Sequence, residues 1–245
     1  MTHTTPADPD DSVEYGYEIQ DSAMRRDCAV WFATPPGFVE IPIADLFADP
    51  DSPEAARSVE AVDLLLDLVP EGKREGFLTQ LSEARTLSGL MIKEGVVHVA
   101  IGAHEGDDGD MISSVLTLTS KEMPFSPPKL AAAQAATARE SALPVAVVDL
   151  PCGPGAFTEA VVEVPAEADP QQPSLYEVAA YLPYPSGQRL LVLTLTTTAV
   201  EARMHYRDIH RGIVHTVSFD NPLPEELKET IPESDVEVSV RTAFG

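Results

Sequence analysis

Arg203, Arg207 and Arg211 stand at i, i+4 and i+8 in a 245-residue chain with 16 basic residues against 40 acidic ones. On a helix that spacing stacks the three side chains along one flank. Val200, Met204 and Val214 lie beside them in the sequence. Guanidinium forks grip carboxylates bidentately, and arginine among apolar groups is interface composition. The chemistry on offer is recognition, with Arg203, Arg207, Arg211, Val200 and Met204 as the candidate protein-binding residues. The competing reading is a solvated helix face whose arginines pair with the chain's own acids.

Other reactive residues form weaker patterns. His205, His210 and His215 are five apart, so each is rotated by about 140° from the last on a helix and the three cannot converge on one metal. They read as surface or half-buried histidines. His98 and His104 share one face of a strand, but a zinc site needs further ligands close by. Glu105 to Asp110 is acidic without the ligand spacing of a calcium loop, and reads as a solvated hairpin tip. Gly72-Lys73 lacks the first glycine and the Ser or Thr of a phosphate-binding loop, with Asp67 and Arg74 in those places. Pro151-Cys152-Gly153-Pro154-Gly155 reads as turn chemistry, because a nucleophilic thiol needs a lowered pKa and a nearby base. No Gly-x-Ser-x-Gly is present. The expectation is no catalytic, cofactor-binding or metal-binding residue.

Composition narrows the partners. A net charge of -24 argues against nucleic acid and anionic membrane, both of which demand neutralisation of phosphate by Lys and Arg. Cys28 and Cys152 set no disulfide framework, and two reduced thiols suit a cytoplasmic protein. Met1 to Glu14 has no basic or long apolar run, and no stretch approaches the roughly 20 apolar residues of a membrane span.

The elements that would position the arginines come from alternation and turn signals. Val178, Ala180 and Leu182 alternate with Glu177, Ala179 and Tyr181; Pro183 to Gly187 punctuate; Leu191, Leu193 and Leu195 return. That is an antiparallel hairpin with one face buried. Thr198 and Glu201 fit a capping box, opening a helix that carries Ala199, Ala202, Tyr206, Ile209 and Ile213 inward. Upstream, Cys28 to Thr34 alternates as a first strand, and Phe38 to Ile43 is an extended segment that Pro42 keeps at an edge or outside a sheet. Helices follow Ser52-Pro53 and Lys73. Val97, Val99 and Ile101 alternate up and Ile112, Leu116 and Leu118 alternate back, joined by the acidic tip. Ser126-Pro127 opens an alanine-rich helix to about Glu140. Val145 to Leu150 and Phe157 to Val164 make another hairpin, and a short strand is expected near Val236 to Val240.

Sequential hairpins imply an α+β fold with a mostly antiparallel sheet of about seven strands. Residues 1–14 read as a disordered acidic N-terminus and 15–220 as one domain. That domain holds a helical-hairpin insertion at about 53–92, and 221–245 is an acidic tail. The Pro-Gly-bearing first strand, the LPCGPGAF hairpin, the YLPYPSGQRLLVLTLTT hairpin and the last amphipathic helix together resemble the Mog1/PsbP-like fold over roughly Cys28 to Phe219. They are similar in particular to small uncharacterised actinobacterial members. The helical pair around Val59 and Leu81 departs from the minimal pattern, and the lipobox of lipoprotein members is missing. The resemblance implies a three-layer α/β/α sandwich around that sheet, serving as a non-catalytic binding or assembly module that acts on a protein partner. Alternatives are a hydrolase-like enzyme with dispersed carboxylates and a carrier of a small ligand or lipid.

Overall fold

A chain of alternating runs must pair them to satisfy its backbone amides, and a computed structural model shows how. It describes residues 17–19, 29–41, 59–60, 62–64, 66–67, 69–78, 94–105, 111–138, 146–163 and 174–223. The expectations for the N-terminus, the 42–58 stretch, the second helix beyond Leu78, the acidic tip and the tail from Pro224 lie outside the described residues.

Two short strands, β1 (Glu18–Ile19) and β2 (Ala33–Thr34), form a separate antiparallel pair. The main sheet holds β3 (Phe38–Ile41), β4 (Val96–Glu105), β5 (Met111–Glu122), β6 (Ala146–Leu150), β7 (Gly153–Glu163), β8 (Ser174–Pro183) and β9 (Arg189–Thr197). Its order is β3-β4-β5-β9-β8-β7-β6, antiparallel at every step. The fold is α+β. The hairpin expected around Pro183 to Gly187 lies at its centre, as β8 and β9. Gly187 takes a left-handed φ of 68° there, a conformation that only glycine adopts cheaply.

Helix α1 (Pro128–Thr137) and helix α2 (Arg203–Thr216) pack on opposite faces of the sheet. The alanines of α1 sink against Ala156, Ala179 and Tyr181. Small side chains on both sides let helix and sheet approach closely. On the other face Tyr206, Ile213 and Val214 of α2 bury Leu191, Leu193, Leu195, Val178 and Ala180. Strand β8 therefore departs from the expected one-sided burial. From Val178 onward nearly every residue is buried, because a helix covers each face. Strand β9 keeps clean alternation. Residues on both sides of Pro70 are helical (59–60, 62–64, 66–67 and 74–78), and Phe77 packs on Ile41 and Val99.

Several sequence expectations need correction. Residues 29–34, the described part of the expected first strand, do not join the main sheet. Val30, Trp31, Phe32 and Ala33 are buried in succession, so the segment is enclosed on both sides, and alternation by itself could not reveal that. Trp31 bridges Ser218 instead, and Ala33 N–H donates to Thr216 Oγ1 at 2.8 Å, which straps this segment to the end of α2. Phe38–Ile41 does lie at a sheet edge, as Pro42 required. Val97 faces solvent, not the core. A bulge between Val96 and His98 throws it out of register. The loop between β6 and β7 is only Pro151 and Cys152, since Gly153, Pro154 and Gly155 pair with Leu150, Asp149 and Val148.

Candidate functional site

Helix α2 and strand β7 run side by side in opposite directions, and the arginines read onto that strand. Phe157, Glu159 and Val161 occupy alternate positions of β7 opposite Ala180, Val178 and Tyr176. Those three partners belong to the cluster beneath α2, so the β7 side chains share its face. Two residues of strand advance about 6.7 Å, and four residues of helix about 6 Å. The near match sets Arg211 beside Phe157 and Arg207 beside Glu159.

Both rungs are occupied. Arg207 donates from Nε to Glu159 Oε2 at 2.8 Å and from Nη2 to Oε1 at 2.6 Å, a bidentate clasp. Tyr176 adds its hydroxyl to Oε2 at 2.8 Å. Burial pushes the Glu159 carboxyl up, but the bonds from Arg207 and Tyr176 outweigh it and hold the group below its usual range. Burial and the bond to Glu159 push the Tyr176 phenol up to about 12, so it remains a donor. The carboxylate raises Arg207 in turn. Arg211 places its guanidinium carbon 5.8 Å from the centroid of Phe157, within cation–π range.

The ridge residues thus fall into separate roles. Arg207 is engaged by the chain's own acid. Val200 is half-buried against the core. Arg203, Met204 and Arg211 face outward, and Val214 is buried. The clasp joins residues 48 apart in sequence, and nothing local in the chain signalled that Glu159 would be the acid chosen among forty.

The helix start also differs from expectation. No side-chain cap forms from Thr198. A 3-10 turn, Val200–Ala202, precedes α2, and Ala199 N–H donates to Thr197 Oγ1 at 3.2 Å. Thr197 is the last residue of β9, and the residue before the 3-10 turn is Ala199, which has no side chain to cap with. The inward stripe is rotated too. His210 is fully buried beside Tyr206 and Ile213, while Ile209 is only partly so. The histidine was expected at or near the surface. Its imidazole fits inside because Nε2 lies 3.0 Å from the Leu193 carbonyl oxygen, and Phe157 meets the ring edge-on at 5.9 Å.

His98 is buried in β4, with Nδ1 3.4 Å from Glu40 Oε1 and Phe32 edge-on at 4.8 Å. Burial raises the Cys152 thiol, opposed by a backbone hydrogen bond, which works against a resting thiolate. Among the described residues no group of three or more His, Cys, Asp or Glu could hold a metal ion. An open cleft of about 340 Å³ between the β8–β9 turn and the end of β5 is lined by Glu122, Met123, Ser186, Gln188 and Arg189, with a single carboxylate. No helix among the described residues is long and apolar enough to cross a membrane.

No protein-family model matches this chain. No curated protein matches it either.

The clasp has a measurable strength. The Glu159 and Arg207 side chains are 26% and 22% exposed, so solvent screening reduces what a buried pair would give. A cycle of Glu159→Gln, Arg207→Met and the double variant, followed by urea denaturation, is expected to return a coupling of about 1 kcal/mol. Additive single effects would mean that the clasp contributes nothing.

Proposed function

We propose that this chain is a non-catalytic binding or assembly module that works on a protein partner in the cytoplasm. In architecture it is a Mog1/PsbP-like three-layer α/β/α sandwich. Two helices on opposite faces of an antiparallel sheet support that layering. The outer face of α2 is the docking surface. The observation that carries this reading is a local inversion of charge around an exposed apolar side chain. Helix α2 holds three arginines and one aspartate in a chain of net charge -24, and Met204 is 54% exposed between Arg203 and Arg211. Arginine with methionine is enriched at interfaces, where lysine and acids are depleted.

The test reverses Arg203 and Arg211 to glutamate and leaves Arg207 in place, because Arg207 holds Glu159. Affinity capture from the native host in mild salt is expected to recover a partner with the wild-type chain and to lose it with the double variant. Recovery of the wild-type chain alone, or retention of the partner by a folded double variant, counts against the module.

A further inference from the structure

The register between α2 and β7 extends one rung beyond the two already filled. Arg211 lies over Phe157 and Arg207 grips Glu159. One helical turn towards the N-terminus stands Arg203. Two residues onward along β7, on the same face opposite Tyr176, stands Val161. The rungs advance at nearly equal steps, so Arg203 belongs with Val161 as its neighbours belong with theirs. The contents differ. Where the middle rung supplies a carboxylate, this one supplies a valine that is 52% exposed, and Met204, 54% exposed, adjoins it on the helix.

Resting on the protein-binding reading above, we propose that the Arg203–Met204–Val161 corner docks a partner protein segment bearing a carboxylate next to an apolar side chain. The carboxylate takes the Arg203 fork as Glu159 takes that of Arg207, and the apolar neighbour covers Val161 and Met204. Charge argues for this occupant. Arg207 is neutralised within the fold, whereas Arg203 is exposed and, among the described residues, no carboxylate clasps it as Glu159 clasps Arg207. The acidic remainder of the chain does not cancel this attraction at contact distance, because charges beyond a Debye length of about 8 Å are largely screened at physiological salt. A nucleic acid, by contrast, would need several cations along its backbone, and the surrounding chain is acidic.

The probe is a fluorescein-labelled peptide of interleaved glutamate and leucine, with a version carrying lysine for each glutamate and a single-stranded oligonucleotide as comparisons. Anisotropy with the full chain is expected to show binding of the acidic peptide alone, weakened by about tenfold or more in Arg203→Glu and also in Val161→Asp. Arg203→Lys separates fork from charge and is expected to restore part of the affinity. Circular dichroism checks the fold of each variant. No binding of the acidic peptide, equal binding of the lysine version or the oligonucleotide, or unchanged affinity in a folded Arg203→Glu would overturn the proposal. Its failure is separable from that of the module itself. Host-partner capture that is lost with Arg211→Glu but kept with Arg203→Glu and Val161→Asp leaves the docking helix intact and removes this corner.

Discussion

Acidification from about pH 6.5 to about pH 4 is expected to remove up to about 3 kcal/mol of stability through His210 alone. Burial is the first cause. The imidazole is fully enclosed between α2 and the sheet, and a buried cation without a counter-charge is strongly disfavoured. Its contact with the Leu193 carbonyl favours the charged form and the nearby Arg211 opposes it, with a net folded-state pKa of about 4 against an ordinary 6.5. Because Nε2 faces a carbonyl oxygen it carries the hydrogen, so Nδ1 is the bare nitrogen, and Nδ1 is buried without a hydrogen-bond partner. The facing groups are Leu193 on β9, Phe157 on β7 and, on the helix, Tyr206, Ile213 and Arg211; none is an acid. The sign follows from the depressed value. The unfolded chain takes up the proton near pH 6.5 while the folded chain refuses it until about pH 4, so stability is full above the first value and lost between the two. Urea melts across that window should show a steeper decline for wild type than for His210→Leu. Parallel profiles would mean that the folded chain protonates His210 at its ordinary pKa.

That histidine also marks where reading by residue type falls short. A period of 3.6 placed Tyr206 and Ile213 inward correctly, but it favoured Ile209 over His210 because hydrophobicity was the only guide. The position was decided by a carbonyl on β9, 17 residues away. The same division runs through the fold. Strands β4, β5, β8 and β9 were legible, since alternation between turn signals is a local property. The sequential hairpins implied mostly antiparallel pairing, and the non-sequential β5–β9 pair is antiparallel as well. Residues 30–33 were misread because burial on both sides comes from α2, β1 and residue 218, none of which is near in sequence. The candidate site was half legible. Arginines at i, i+4 and i+8 announce a helix flank, but the choice of Glu159 as the acid that occupies Arg207 depends on how β7 lies against α2. The helix cap failed for a related reason. Thr198 and Glu201 have the right types and spacing, yet the chain leaves β9 directly into a 3-10 turn, and Thr197 takes the amide first.

Leu193→Ala is expected to be a strongly damaging truncation on the α2 side of the sheet, at about 3 kcal/mol, or roughly 10 °C in Tm for a chain of this size. Leu193 is fully buried, sits between Leu118 of β5 and Ala180 of β8, and gives its carbonyl to His210. Ala180 cannot grow into the vacated space, and the ladders on both sides hold β9 in register, so the cavity would persist. Thr194→Ala, one residue along and on the opposite face, removes only a half-buried side chain and should cost less than about 1 kcal/mol. Equal losses from the two would show that the sheet is not packed more tightly beneath α2 than on its other face. The Leu193 cavity also bears on His210. A cavity that lets water reach the buried imidazole would ease its protonation. The slope of stability between about pH 6.5 and about pH 4 should therefore be shallower in Leu193→Ala than in wild type, even though the variant is less stable at every pH. A slope unchanged in the truncated chain would show that the leucine does not keep water from the imidazole, and that the depressed pKa arises from Phe157 and the helix alone.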